Sequence, residues 1–316
     1  MAWLKLIRWY NLIIIFLTQL LAWAFVILPM RDAAGDGLLL TTGNFLLIAF
    51  STVLIAAAGY IINDYFDIKI DAINRPDRMV LEKRIPAKSA IVMHTVLNVI
   101  GIVLALKVAR DGGQYKWILL QLSCTALLWF YSTHFKRQFM TGNIVVALLS
   151  AFTIVALMVY EPSLHGYADE RPFLHLTDSI VPNPVWVLGV YTYFAFMLTW
   201  MREIVKDMED FKGDAEQGCV TMPIKWGLQR SERFTQVLGV LAGLPLLNAG
   251  IKLILSGWWV FGVYTLVALV LPLTVWLIAL GKKATKEHYY KQSSRIKLIM
   301  VLGILSLVIY YFEAHA

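Results

Sequence analysis

The stretch NFLLIAFSTVLIAAAGYIINDYFDIKID, residues 44–71, begins as an apolar run and ends in three aspartates, Asp64, Asp67 and Asp71. An apolar run of about 20 residues crosses the hydrocarbon core of a bilayer as a helix, rising about 1.5 Å per residue. A membrane span over 44–65 is therefore expected, with carboxylates delivered at one end. The same length criterion, carried outward, predicts spans at 9–30, 89–109, 115–133, 141–160, 184–204, 234–252, 257–281 and 296–313. The expected fold is all-α: a polytopic membrane bundle of nine transmembrane helices forming a single domain over 1–316. The first run is longer than the apolar core of a signal peptide and lacks a small-x-small cleavage site, so it is expected to be retained.

Composition agrees with a bilayer setting. Of 316 residues, 59% are apolar, 13% aromatic and 16% charged, and the mean hydropathy is +0.66. A soluble domain is about 45–50% apolar and about 25% charged, so a water-soluble globule is excluded, as is a disordered chain. Cys124 and Cys219 are the two cysteines, too few for a disulfide scaffold. The net charge of +7 points to basic loops beside anionic headgroups rather than to nucleic acid. On the nine-span map, 22 of the 28 Lys and Arg fall on the side of the amino terminus and 6 on the other, while the acids divide 13 to 8. The positive-inside rule then predicts a cytoplasmic amino terminus, a carboxyl terminus across the membrane, and cytoplasmic loops at about 63–88 and 202–230. The expected location is a prokaryotic inner membrane. The connection 161–183, with Pro162, Pro172 and Pro182 and with Pro184 just beyond, is expected to be an outer loop of little catalytic content.

The acidic end recurs. Asp64, Asp67 and Asp71 have the same spacing as Asp207, Asp210 and Asp214 at the end of the span 184–204. On a continuous helix this spacing puts three carboxylates on one face, neighbours about 5–6 Å apart. Adjacent carboxylates at such a distance can share a divalent ion, and magnesium is typically held by one or two carboxylates together with substrate phosphates. The two motifs belong to spans of the same direction and precede similar stretches, Arg84-Ile85-Pro86-Ala87-Lys88-Ser89 and Thr221-Met222-Pro223-Ile224-Lys225, which suggests an internal duplication at a four-helix offset. Six facing carboxylates would repel one another without cations, so bound metal is expected at Asp64, Asp67, Asp71, Asp207, Asp210 and Asp214.

Basic residues accompany the motifs: Arg75 and Arg78 after the first, Lys206 before the second, and Lys136 and Arg137 after the span 115–133. Such cations suit the oxygens of a diphosphate and the charge of its departure. Tyr131 suits either a phosphate contact or a developing cation, and an interfacial tyrosine would look the same. Lys282, Lys283, Lys286, Lys291 and Lys297 are expected to be topogenic charges only. His94 and His134 lack metal-ligand spacing, and neither cysteine is expected to be a nucleophile.

The string Asn63-Asp64-x-x-Asp67-x-x-x-Asp71, continuing to Asn74-Arg75-Pro76-Asp77-Arg78, with Asp207-x-x-Asp210-x-x-x-Asp214 and the segment Tyr131 to Lys136, resembles the UbiA-type intramembrane prenyltransferases along the whole chain. Within that family it is most similar to the digeranylgeranylglyceryl phosphate synthase branch. It departs from that branch in having Met79-Val80-Leu81-Glu82-Lys83 for the usual Pro-(Ile/Leu)-Pro-Ser-Gly, and Arg8-Trp9-Tyr10-Asn11 for Arg-Pro-x-Asn. The resemblance implies a helical bundle that binds a polyprenyl diphosphate through Mg2+ at both Asp-rich motifs and alkylates an acceptor in the membrane. It implies catalytic roles for Asp67, Asp71, Asp210, Asp214, Lys136 and Tyr131. It also implies substrate contacts from Asn63, Arg75, Arg78, Lys206, Arg137, Arg8 and Asn11. The expected donor is geranylgeranyl diphosphate, and the expected acceptor is geranylgeranylglyceryl phosphate. An aromatic acceptor of the hydroxybenzoate, naphthoate, haem or chlorophyll type is the alternative. A transporter would need interrupted helices and midplane charges, whereas the charges here gather at span ends.

Overall fold

The computed structural model describes residues 1–32, 37–68, 79–167, 173–176 and 179–315. Its long helices are α1 (Trp9–Met30), α2 (Thr42–Phe66), α3 (Ala87–Asp111), α4 (Leu119–Thr133), α5 (Thr141–Tyr160), α6 (Pro184–Glu209), α7 (Leu228–Leu255), α8 (Trp259–Leu280) and α9 (Lys286–Ala314). Eight of them are long and apolar enough to cross a membrane. The exception is α4, where the expected span 115–133 divides into a 3-10 turn, Tyr115–Ile118, and a 15-residue helix. Several helices outrun their expected ends: α6 continues to Glu209, α7 starts at Leu228 and α9 at Lys286. Charged residues stop an apolar count but do not stop a helix, since Arg, Lys and Glu are good helix formers.

Local chemistry sets the starts of three of these helices. Thr41 caps α2 by accepting from Asn44 N at 3.4 Å, Asn183 caps α6 by accepting from Val185 N at 2.9 Å with Pro184 at the first helical position, and Thr285 caps α9 through His288 N at 3.3 Å. Helices α2 and α6 form the centre. The first packs along α3 and α4, and the second against α5, α7 and α9. At the end opposite the acidic motifs, Trp23 stacks on Phe45 with centroids 4.4 Å apart and donates to Leu40 O at 2.7 Å. Near the acidic end a second core gathers Met201, Ile204, Trp276 and Tyr289. The flanks of the bundle are greasy: Val92, Val99 and Val103 of α3 are more than half exposed, as lipid-facing residues should be.

The described parts of the connection after α5 carry regular structure. Glu161, 1% exposed, accepts from Leu40 N at 2.8 Å and from Ser163 Oγ at 2.8 Å. A small antiparallel hairpin follows, with β1 (Phe173–Leu176) paired to β2 (Ser179–Pro182) in the register Phe173 to Pro182 and Leu176 to Ser179. Ile180 and Val181 favour extended backbone, and Pro182 closes the ribbon where no further ladder bond is required. Among the described residues the fold is all-α apart from this hairpin and an isolated bridge between Leu81 and Ile85.

Among the described residues three that are not glycine adopt left-handed backbone: Arg8 (φ 52°), Glu82 (φ 62°) and Met140 (φ 60°). Such conformations cost about 1–3 kcal/mol each and persist only where surrounding contacts hold them. Arg8 lies in the corner between the short helix Ala2–Leu6 and α1, and Met140 lies in the corner before α5. In that second corner a Cβ on Gly142 would come within 2.9 Å of Phe135 O and 3.0 Å of the Lys136 Cα. Glycine thus lets the turn bearing Lys136 press onto α5. Substitution G142A is expected to lower stability by about 1–3 kcal/mol, whereas G166A, where a Cβ meets nothing within 4 Å, should change it by less than about 0.5 kcal/mol. Thermal unfolding of both variants in detergent checks this.

Candidate active site

One cavity of about 750 Å3 opens among the helices at the acidic end and receives side chains from both halves of the chain. Asn63, Asp64 and Asp67 enter it from α2, and Lys206, Asp207, Asp210 and Asp214 from the end of α6 and the segment beyond. Arg8, Asn11, Tyr131, Lys136 and Arg137 complete the group of expected residues that line it. Asp71, Arg75 and Arg78 lie outside the described residues.

The two acidic motifs match in sequence, and at the middle aspartate they match in backbone as well. Asp67 follows the last residue of α2 with φ −91° and ψ 0°, and Asp210 follows the last residue of α6 with φ −92° and ψ 7°. Their amides donate to Asn63 O at 3.0 Å and to Lys206 O at 2.9 Å. The expectation of three carboxylates on one continuous helix face is corrected here. In the second motif the helix breaks at the middle aspartate, and Asp214 lies on a separate short helix, Phe211–Glu216.

A carboxylate at a helix carboxyl end meets the negative pole of the helix dipole, so each one needs a partner. Asp67, 4% exposed, is ion-paired with Lys136 and accepts from Asn63 Nδ2 at 2.8 Å. Asp64 pairs with Arg8 Nη2 at 2.8 Å, and the guanidinium lies 4.9 Å above the centre of the Tyr60 ring. Burial works against the Arg8 charge, but Asp64 and Tyr60 outweigh it and the guanidinium is held more firmly protonated than usual. Asp207 accepts from Asn143 Nδ2 at 2.8 Å. Lys206 pairs with Glu203 at 2.8 Å rather than with an aspartate, and Arg202 holds the other oxygen of Glu203 at 2.8 Å. Tyr131 lines the same cavity, within electrostatic reach of Glu203, Asp207, Asp67 and Arg8.

Several lining residues lie beyond the sequence expectations: Tyr60, Asn143, Arg202, Glu203 and Lys297. Arg202 and Glu203 stand one turn before Lys206, and their helical spacing onto the motif face was the available signal. Asn143 gave none, since only folding brings α5 beside α6. Lys297, expected to be topogenic, instead lines the cavity and donates to Asn11 Oδ1 at 2.8 Å. His94 bonds Ala58 O and Asn98 inside the bundle, a packing role. Burial and then the Asp214 carboxylate push the Cys219 thiol up from its ordinary range, which disfavours a thiolate nucleophile.

The donor set suits a hard cation. Asn63 Oδ1 is buried without a hydrogen-bond partner beside Asp67, and the neighbouring ligands are carboxylate oxygens, the donors magnesium prefers. Among the described residues no three His, Cys, Asp or Glu side chains converge on one point, so the protein offers oxygens in ones and twos. Six acidic and seven basic side chains line the cavity among the described residues, counting Asp64, Asp67, Glu203, Asp207, Asp210 and Asp214 against Lys5, Arg8, Lys136, Arg137, Arg202, Lys206 and Lys297. Beyond them the lining turns apolar, through Ile55, Leu128, Leu149, Phe152, Phe194 and Ile304. From Asp207 to Tyr191 on α6, both lining residues, the cavity follows about 24 Å of helix.

Comparison with known proteins places this arrangement in context. The UbiA prenyltransferase family matches over residues 22–299. The digeranylgeranylglyceryl phosphate synthase of Hyperthermus butylicus is 30% identical over 273 residues, 86% of this chain and 80% of that protein. The synthase of the same name from Saccharolobus solfataricus is 28% identical over 84% of each chain. Among solved structures, a digeranylgeranylglyceryl phosphate synthase superposes with a TM-score of 0.64 at 24% identity, over 98% of this chain and 96% of that one. A UbiA homologue from Archaeoglobus fulgidus bound to DMAPP and Mg2+ gives 0.60 at 15% identity, over 98% and 99%. At these identities the structural likeness establishes the fold.

The Lys136–Asp67 pair is expected to stabilise the acidic end measurably. Substitution K136M should cost about 1–3 kcal/mol by leaving a buried carboxylate short of a partner. The double variant K136M/D67N should cost less than the two single changes added together. Unfolding of the four proteins of this cycle in detergent measures the coupling.

Proposed function

The chain belongs to the UbiA prenyltransferase family and is a prenyltransferase enzyme of the membrane, and from that premise we propose that it transfers a geranylgeranyl group from its diphosphate to geranylgeranylglyceryl phosphate, forming an ether lipid. The observation that carries this reading is the meeting of both acidic motifs, Lys136 and Arg8 in one cavity whose remainder is mostly apolar. The acceptor rests on the relatives named digeranylgeranylglyceryl phosphate synthase, which the chain matches over most of its length.

In this reading Asn63, Asp64, Asp67, Asp207, Asp210 and Asp214, with Asp71 from outside the described residues, hold magnesium and through it the diphosphate. Magnesium supplies neutralisation of the diphosphate oxygens, which favours departure of the leaving group. Lys136, Arg137 and Lys206, with Arg75 and Arg78, take the oxygens left over. The near balance of acids and bases matters: without divalent cations the carboxylates would oppose an anionic substrate. The allylic carbon–oxygen bond breaks with its electron pair leaving on the diphosphate. The acceptor hydroxyl oxygen then bonds to that carbon, and its proton departs with the diphosphate. Tyr131, on the wall of the same cavity, presents its ring to the positive charge that develops. Arg8 and Asn11 contact the acceptor head group, and the apolar lining takes the prenyl chain and keeps water from the cation.

The reading includes a nine-span topology with the acidic end toward the cytoplasm. It is supported by the length of α4 with its preceding turn: 15 residues at about 1.5 Å and four at about 2.0 Å reach about 30 Å, the thickness of the hydrocarbon core. An odd number of spans puts the termini on opposite sides, so an alkaline phosphatase fused to the carboxyl terminus should be active in a bacterial host and one fused to the amino terminus inactive.

The direct test is incubation of purified protein with Mg2+, labelled geranylgeranyl diphosphate and a panel of acceptors, with the products identified by mass. Geranylgeranylglyceryl phosphate should be prenylated, and hydroxybenzoate and naphthoate should not. Substitutions D67A and D210A should each lower the rate more than about 100-fold while leaving a folded, monodisperse protein. Chelation should abolish transfer and added Mg2+ restore it; full activity in either variant would overturn the metal assignment.

A further inference from the structure

Among the cations lining the cavity, Lys297 is set apart by its partner. Its Nζ donates to the neutral amide of Asn11 at 2.8 Å, and no carboxylate among the described residues pairs with it. Other lysines of α9 behave as surface charges: Lys291 pairs with Glu287 at 2.7 Å with 60% of its side chain exposed. Lys297 lies 11 residues into the helix from Lys286, about 16 Å along its axis. A topogenic lysine at that depth would snorkel along the helix toward the headgroups. This one turns inward and lines the cavity.

Arg202 faces the same space from α6, and its charge is felt at Lys297. One of its terminal nitrogens is engaged by Glu203, but its Nε is buried without a hydrogen-bond partner. Glu203 is shared with Lys206, so one carboxylate serves two cations. Two cations on the wall of one cavity, one with a spare buried donor and the other bonded only to an amide, leave positive charge there that Glu203, shared with Lys206, does not match. An anion entering there would relieve the repulsion and occupy the free donor. The charges near Asp67 and Asp210 differ, since acids there are matched by Lys136 and by the metal reading above.

We infer that Lys297 and Arg202, with Asn11 holding the ammonium in place, form a second anion subsite that binds the phosphate monoester of the acceptor lipid. The inference rests on the proposed function for the phosphate on the acceptor. It adds the residues that recognise that phosphate: a dianionic monoester matches two cations and accepts several hydrogen bonds, whereas an acceptor without phosphate leaves both cations unsatisfied.

Binding without turnover separates this inference from the reading it rests on. Geranylgeranylglyceryl phosphate and the phosphate-free geranylgeranylglycerol are titrated into the detergent-purified full chain by calorimetry, with no prenyl diphosphate present. The wild-type protein should bind the phosphorylated lipid about tenfold or more tightly than the free alcohol. K297Q and R202Q should each lose about tenfold for the phosphorylated lipid and little for the alcohol, while K297R should stay within about threefold of wild type. Binding of geranylgeranyl diphosphate with Mg2+ to K297Q should stay within about twofold, which also certifies that the variant is folded. Unchanged binding of the phosphorylated lipid by K297Q, or an equal loss for both lipids, overturns the inference. Phosphate-dependent binding through Lys297 with no product in the transfer assay supports the subsite and overturns the proposed acceptor.

Discussion

Carboxylates at the carboxyl ends of α2 and α6 are the constraint around which the acidic end is organised. Asp67 and Asp210 close these helices with nearly the same backbone angles, where the helix dipole is already negative and water is partly excluded. Partners must therefore come from elsewhere in the chain. Lys136 arrives from the turn between α4 and α5, Arg8 from the corner before α1, and Asn143 from the first turn of α5. Left-handed backbone at Arg8 and Met140 belongs to the same arrangement, because those two corners present Arg8 and Lys136 to the aspartates.

The cavity joins two solvents in one space. Its acidic end gathers carboxylates and basic side chains, and its opposite reach is lined mainly by aliphatic and aromatic side chains, with a few polar ones such as Thr18, Gln121 and Thr153 among them. An amphiphile with a charged head and a long hydrocarbon tail fits such a gradient along its length. Basic and acidic side chains on the walls nearly cancel, so the site discriminates by where the charges stand: Lys136 against Asp67 on one side, Lys297 and Arg202 with fewer acids on the other.

Much of the fold was legible because a bilayer imposes a length and a polarity. The span at 141–160 coincides with α5, and the first two spans agree with α1 and α2 within two residues. The errors also have causes. Apolar counting ended α6 too soon because Lys206, Asp207 and Glu209 continue the helix into the site, and it delayed the start of α9 past Lys291 and Arg295. The uninterrupted helical face assumed for each acidic triad failed in the second motif at Asp210, where the helix breaks before Gly213.

The sequence by itself determined the class of environment, the repetition of the acidic motif and the residue types available to it, because hydropathy, spacing and charge are written along the chain. Tertiary structure decided the pairings. Asn11 meets Lys297 across 286 positions and Asn143 meets Asp207 across 64, and no local pattern encodes either contact. A lysine on a helix can reach lipid headgroups or a cavity with the same sequence around it, and only the packing of α9 against α1 and α6 turned Lys297 inward.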